Sequence, residues 1–128
     1  MNTGNSRMDE RSRKRLQGVH PTLAKLITDY ARKAKQAFIV TEGVRTPERQ
    51  AELVKAGASR TLNSKHLTGR AVDLAVVVDG EVRWDWPLYR LLADDLKAFA
   101  KKQNVAIVAG ADWPRFRDGP HFELQKSE

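Results

Sequence analysis

Two stretches of the chain carry hydrophobic residues at the spacing of an amphipathic helix. In the first, which covers residues 21–36, the apolar positions are Leu23, Leu26, Ile27, Tyr30 and Ala34. In the second, which opens at Pro87, they are Leu88, Leu91, Leu92, Leu96 and Phe99. One face of each stretch is apolar, so we expect both to be helices that pack against a core.

Short runs rich in β-branched residues alternate with these helices and predict strands. The predicted strands cover residues 38–41, 71–78, 81–84, 105–108 and 121–124, and the predicted loops cover residues 58–70 and 109–120. Asp79-Gly80 is a typical two-residue hairpin turn. Thr46 followed by Pro47 predicts the N-cap and first residue of a further helix, which stops at Gly57. The pattern indicates an α+β domain with a small, mainly antiparallel sheet and helices packed against it.

Composition fits one compact domain and narrows the chemistry. The chain has 128 residues, of which 41% are hydrophobic and 30% are charged. It has no cysteine, which excludes disulfides and thiolate metal sites. No apolar run reaches the length of a membrane span. We expect residues 1–16 to form a flexible basic leader and residues 17–128 to form the single folded domain.

The charge balance predicts attraction to polyanions. The net charge is +7, which favours an anionic envelope surface or nucleic acid as a partner. The basic residues are scattered and no aromatic-basic recognition motif is present, so no specific nucleic-acid binding is expected. The N-terminus is polar and shows no secretory signal, so we expect any action outside the cytoplasm to need a separate means of release. A monomer is the simplest expectation.

The candidate chemistry lies in two segments. Residues 64–73 read SKHLTGRAVD and residues 118–124 read DGPHFEL. A catalytic zinc needs three protein ligands and an open fourth position. His66, Asp73 and His121 supply such a set if the strand that holds Asp73 pairs with the strand that His121 begins. Alternatively, Asp73 is a structural polar residue at a β-bulge, where its hydrogen bonds are satisfied within the fold.

Two carboxylates compete for the role of general base. Asp118 precedes His121 by three residues across a Gly-Pro turn, which places it near the metal without making it a ligand. It is our candidate for taking a proton from water and delivering it to the leaving amine. Glu123 is the rival, and it could instead orient a ligand imidazole, because it shares a strand face with His121.

The remaining candidates are substrate contacts. Arg45 ends a predicted strand and could bind a substrate carboxylate or the developing oxyanion. It could instead form a structural ion pair with Glu42 or Glu48. Ser64 and Gln50 are plausible substrate contacts.

Three more residues have mainly structural interpretations. Trp113 either lines the cleft or packs at its rim. Asp112 is expected to brace its loop by hydrogen bonds and not to bind metal. His20, which precedes Pro21, is expected to lie in the capping region of a helix.

The two motifs together resemble a known family. The pattern Ser-x-His-x-x-Gly-x-Ala-x-Asp, followed by an acid three residues before His, resembles the zinc D-alanyl-D-alanine carboxypeptidases. That group includes VanY-type enzymes and phage L-alanyl-D-glutamate endopeptidases. The resemblance covers about residues 38–124. The Val-Arg-Thr turn at residues 44–46 and the Gly-Ala-Asp-Trp run at residues 110–113 look most like the phage endolysin branch.

The resemblance implies a specific site and function. The fold would be that of the D-Ala-D-Ala carboxypeptidase and hedgehog type, with one Zn²⁺ per chain. His66, Asp73 and His121 would bind the metal, Asp118 would be the acid/base, and Arg45 would steady the substrate.

The implied activity is cleavage of the L-alanyl-D-glutamate bond of peptidoglycan for host lysis. The resemblance also implies synthesis in the bacterial cytoplasm and holin-dependent release to the wall. Two alternatives stay open. One is a D-alanyl-D-alanine carboxypeptidase or dipeptidase, which would use the same metal chemistry. The other is a non-catalytic zinc-fold binding module.

Overall fold

Helices and strands alternate along the residues that the computed structural model describes, which are 8–59, 61–62 and 64–125. The helices are α1 (Glu10–Arg15), α2 (Pro21–Ala31), α3 (Pro47–Lys55) and α4 (Trp86–Lys102). The strands are β1 (Phe38–Glu42), β2 (Ala71–Val78), β3 (Glu81–Arg83), β4 (Ile107–Ala109) and β5 (His121–Leu124). Within these ranges no helix combines the length and the apolar character needed to cross a bilayer.

The strands form one antiparallel sheet with β2 at its centre. The order is β1-β2-β5-β4, and β3 pairs with β2 through the Asp79-Gly80 hairpin. In the register of β2 with β5, Asp73 lies opposite His121 and Ala71 lies opposite Glu123. The predicted α+β fold with a small antiparallel sheet is confirmed, and the pairing brings the two motifs side by side.

The two faces of the sheet have different characters because side chains alternate along a strand. Val72, Leu74 and Phe122 are fully buried in the hydrophobic core, which α2 and α4 complete. Tyr30 of α2 also donates a hydrogen bond to Asp95 of α4 at 2.6 Å. Asp73, His121 and Glu123 occupy the alternate positions, so polar groups gather on the opposite face.

Several element ends differ from the sequence-based expectation. The helix predicted to reach residue 36 ends at Ala31, and Gln36 instead donates a side-chain hydrogen bond to the carbonyl of Val77 at 2.8 Å. The strand predicted to begin at residue 105 begins at Ile107. The amide of Val105 donates a hydrogen bond to the carbonyl of Ala100 at the end of α4, so Val105 belongs to the helix end and not to the strand. The two predicted loops each contain a 3₁₀ turn, at Lys65–Thr68 and Gly110–Asp112.

Helix α1 was not predicted, and it covers the outer edge of the sheet. Asp9 caps it by accepting from the amide of Ser12 at 2.9 Å. Ser12 is fully buried, and its Oγ accepts from the amide of Val40 in β1 at 2.9 Å. Arg15 donates to the carbonyl of Val40 at 3.0 Å, so the helix satisfies backbone groups that an edge strand would otherwise leave open.

These contacts place residues 8–16 against the sheet, with Met8 and Leu16 in the core. The predicted division of the chain at residue 16 stays a prediction, and residues 1–7 of the predicted leader lie outside the described residues.

Replacing Ser12 with alanine is expected to destabilise the fold by about 1–3 kcal/mol, because the buried amide of Val40 would lose its acceptor. Urea unfolding of both proteins measures this difference. Thr28→Ala is the matched control, since the Thr28 hydroxyl bonds only a carbonyl of its own helix. Equal losses in the two variants would show that α1 contributes nothing through this contact.

Candidate active site

An open cleft of about 830 Å³ lies over the polar face of the sheet. One wall is formed by the end of α3 and the residues that follow it, and the other by residues 113–118. The residues singled out from the sequence that line it are Arg45, Ser64, His66, Asp73, Trp113, Asp118, His121 and Glu123. The cleft therefore contains every predicted site residue except Gln50.

His66, Asp73 and His121 converge at the base of the cleft. One nitrogen or oxygen atom from each lies within 4.8 Å of the others, a grouping that could hold a metal ion. His66 arrives on the 3₁₀ turn, Asp73 on β2, and His121 as the first residue of β5. Both histidine side chains are buried, at 2% and 8% exposure.

Each imidazole is oriented by a hydrogen bond at the nitrogen that points away from Asp73. Nδ1 of His66 lies 2.8 Å from the carbonyl of Gly43, which can only accept, so this nitrogen carries the proton. Nε2 of His121 lies 2.7 Å from Oε1 of Glu123. The other nitrogens, Nε2 of His66 and Nδ1 of His121, face Oδ1 of Asp73 at 3.1 and 3.4 Å. The two lone-pair nitrogens and the carboxylate therefore point at a common region.

The electrostatics of the cluster favour a cation. Burial alone would raise the pKa of Asp73, but His121 and His66, when protonated, donate hydrogen bonds to it and hold that pKa well below the ordinary value. Burial alone would lower the pKa of His121, but its hydrogen bonds to Asp73 and Glu123 raise the pKa to about 9. The cluster thus binds positive charge strongly, whether that charge is a proton or a metal ion.

Glu123 lies behind His121 and also contacts Lys65. Its Oε2 lies 2.9 Å from Nζ of Lys65, and its other oxygen holds the imidazole. Burial would raise the pKa of Glu123, but the hydrogen bonds from His121 and Lys65 lower it. Of the two readings of Glu123, this geometry favours the residue that orients the imidazole.

Asp118 lies beside the cluster with its carboxylate unengaged. Its amide donates to the carbonyl of Gly110 at 3.1 Å, and its carbonyl accepts from the amide of His121 at 3.1 Å. Its carboxylate has no hydrogen bond or ion pair within the part of the chain that the structure describes. Burial, followed by the nearby negative charge of Asp73, raises the pKa of Asp118. A partly buried carboxylate with raised proton affinity can move a proton.

The approach of Asp118 depends on Gly110. A Cβ atom at position 110 would lie 2.3 Å from the carbonyl oxygen of Asp118 and 3.1 Å from its Cβ. Any side chain there would push the segment that carries Asp118 away from the sheet.

Arg45 is largely buried and already engaged. Its guanidinium pairs with Glu42, lies 3.4 Å from Oδ2 of Asp73, and donates to Oε1 of Gln50 at 2.7 Å. The ion pair with Glu42 that the sequence left open is present. Arg45 therefore holds the oxygen of Asp73 that faces away from the imidazoles.

Gln50, a predicted substrate contact, is not among the residues that line the cleft. It is 1% exposed, and its amide donates to Ser59 and to the carbonyl of Thr61. A polar residue on a helix beside a site can line the cleft or brace a neighbour, and here it braces Arg45.

Ser64 and Trp113, both predicted substrate contacts, line the cleft, and each also makes a structural contact. The hydroxyl of Ser64 accepts from the amide of His66 at 3.1 Å and so caps the 3₁₀ turn. The ring centroid of Trp113 lies 5.0 Å from that of His121. Both residues help to position an imidazole and also face the cleft.

Two residues outside the cluster have the structural roles that were expected. Asp112 accepts from Arg90 at 2.6 Å and also from Lys97, which ties its loop to α4. His20 accepts from the amide of Thr22 and caps α2.

Two partners of the site were not predicted. The carbonyl of Gly43 holds His66, and Lys65 holds Glu123. A backbone acceptor leaves no sequence signal, and Lys65 occupies an unspecified position of the motif.

Known phage peptidases are similar to this chain over most of its length. The family model for phage L-alanyl-D-glutamate peptidase matches residues 5–125. The L-alanyl-D-glutamate peptidase of Listeria phage A118 is 36% identical over 102 residues. That alignment covers 79% of this chain but only 35% of the phage protein, so the chain spans about a third of that relative's length.

Solved structures agree with the fold. The crystal structure of the Serratia marcescens L-Ala D-Glu endopeptidase ChiX is 39% identical, with a TM-score of 0.87, and the match covers 95% of this chain and 92% of that one. The D,D-pentapeptidase VanY in complex with Zn(II) is 22% identical, with a TM-score of 0.51 over 97% and 76% of the two chains, which shows the shared fold alone. Because the family match extends over nearly the whole sequence, the chain belongs to the phage L-alanyl-D-glutamate peptidase family.

Proposed function

We propose that this chain is a zinc-dependent peptidase that hydrolyses the L-alanyl-D-glutamate bond of peptidoglycan stem peptides, and that it serves phage or prophage lysis. The observation that carries the proposal is the cluster of His66, Asp73 and His121 with the unengaged carboxylate of Asp118 beside it. Family membership supports the choice of bond. The net charge of +7 supports attraction to an anionic cell wall.

The donor set fits zinc. Two imidazoles and one carboxylate are a common ligand set of catalytic zinc sites, which keep a fourth position open. The orientation of both rings by partners at their far nitrogens is also typical of such sites. VanY, which shares the fold, was solved in complex with Zn(II). When bound, zinc would supply Lewis acidity that activates water and polarises a carbonyl.

The chain's own residues would perform the remaining steps. Asp118 would take a proton from the attacking water and deliver it to the amine that leaves, and its raised pKa suits both halves of this task. Arg45 would steady Asp73 and, from its place on the cleft wall, the negative charge that develops on the substrate. Ser64 and Trp113 would hold the peptide along the cleft walls.

Digestion of purified peptidoglycan tests this function. The zinc-loaded protein is incubated with the polymer, and mass spectrometry identifies the new termini. We expect new glutamate amino termini and no products after treatment with a chelator. Release of D-alanine would instead indicate the carboxypeptidase alternative, and absence of any cleavage by the zinc-loaded protein would favour a binding module.

The carboxylate of Glu123 is expected to matter for metal affinity. Glu123→Gln keeps the shape but removes the negative charge behind His121, so zinc affinity should fall about tenfold to a hundredfold. Competition with a chromophoric chelator measures the change. Glu81→Gln, on the exposed strand β3, is the control. Unchanged affinity in Glu123→Gln would mean that its contact with the imidazole has no part in metal binding.

A further inference from the structure

Some of the cations that line the cleft have carboxylate partners and others do not. Arg45 pairs with Glu42 and Asp73, and Lys65 pairs with Glu123. Two more cations, Arg115 and Arg117, also line the cleft. Neither has a carboxylate partner among residues 8–59, 61–62 and 64–125. One wall of the cleft therefore carries two positive charges that no carboxylate of the described residues pairs with.

The backbone holds Arg117 in a defined orientation. Its Nε donates to the carbonyl of Trp113 at 3.2 Å, which leaves both terminal amino groups of the guanidinium for another acceptor. That pair of donors matches the two oxygens of a carboxylate. Because the ring of Trp113 lies 5.0 Å from that of His121, the same segment borders the metal-binding cluster.

The turn between the two arginines is strained. Phe116 has a φ of 53°, a left-handed conformation that a bulky residue rarely adopts. Its side chain is 62% exposed. Backbone strain of this kind is concentrated at active sites and ligand-binding segments. Here the neighbours on both sides are the unpaired arginines.

The proposed substrate carries a matching anion, and this step rests on the proposed function. A glutamate inside a peptide uses one of its two carboxyl groups in the next amide bond and keeps the other as a free carboxylate. In an alanyl-glutamate substrate this carboxylate belongs to the residue whose amine leaves. The unengaged carboxylate of Asp118 would repel it, and a cation supplied by the protein on this side of the cleft would offset that repulsion.

We propose that Arg117 binds this free carboxylate through its two terminal amino groups and that Arg115 adds a second positive charge. The two arginines then make the enzyme selective for stem peptides whose glutamate carboxyl is ionised over peptides in which it is a carboxamide. Charge-assisted hydrogen bonds of this type correspond to a preference of roughly tenfold to a hundredfold.

Two synthetic stem peptides that differ only at this group test the assignment. One carries the free carboxylate and the other the carboxamide, and kcat/KM is measured for the zinc-loaded enzyme on each. We expect wild type to prefer the carboxylate roughly tenfold to a hundredfold. Arg115→Gln/Arg117→Gln should lose that preference by slowing on the carboxylate peptide while changing little on the carboxamide.

Two further variants sharpen the comparison. Arg117→Lys keeps the charge but loses the paired donors, so its preference should be intermediate. Arg32→Gln removes an exposed arginine at the end of α2, outside the cleft, and should retain the full preference.

The possible results distinguish failure of the arginine assignment from failure of the proposed peptidase function. Wild type that cuts both peptides equally, or a double variant that loses activity equally on both, overturns the arginine assignment and leaves the peptidase intact. Wild type that cuts neither peptide between alanine and glutamate overturns the proposed function, and the arginine assignment with it.

Discussion

Asp118→Asn is expected to lower kcat on peptidoglycan stem peptides by about 10²–10⁴-fold while leaving zinc binding unchanged. Asparagine has nearly the same shape as aspartate but cannot accept and release a proton at neutral pH. The carboxylate that it replaces lines the cleft, and burial raises its pKa. The substitution therefore removes the proton carrier and leaves the cluster of His66, Asp73 and His121 in place.

Zinc content, measured together with steady-state kinetics, separates a lost proton carrier from a lost metal. Asp79→Asn is the matched control, because Asp79 lies in the hairpin turn at a φ of 52°, a conformation that asparagine also tolerates. If Asp118→Asn stays fully active, another group carries the proton, and Glu123 is the first candidate.

The local sequence pattern was sufficient to predict which side chains lie on the polar face of the site. Alternation along residues 121–124 separates His121 and Glu123 from the buried Phe122 and Leu124, and the structure has this arrangement. The valine-rich run around Asp73 likewise predicted a strand. These predictions held because a strand's side-chain period is a local property.

Contacts between distant segments could not be predicted in the same way. The bond of His66 to the carbonyl of Gly43 and the pair of Lys65 with Glu123 depend on how strands and turns meet in three dimensions. The short helix α1 has too few residues for a periodic pattern, and its place is fixed by Ser12 against Val40. Residue types in a motif therefore indicate which groups gather, while the partners that orient them come from the tertiary fold.

Substitution of Asp73 has the largest expected effect on zinc affinity. Both imidazoles face the carboxylate of Asp73, at 3.1 and 3.4 Å, and Arg45 holds its other oxygen. Asp73→Asn removes the charge from this point, so zinc affinity should fall roughly a hundredfold or more and activity at limiting zinc should disappear. Zinc competition titrations and circular dichroism measure binding and folding separately, with Asp79→Asn again as the control. A folded Asp73→Asn protein that binds zinc as tightly as wild type would place the metal elsewhere and remove the basis for a peptidase centred on β2 and β5.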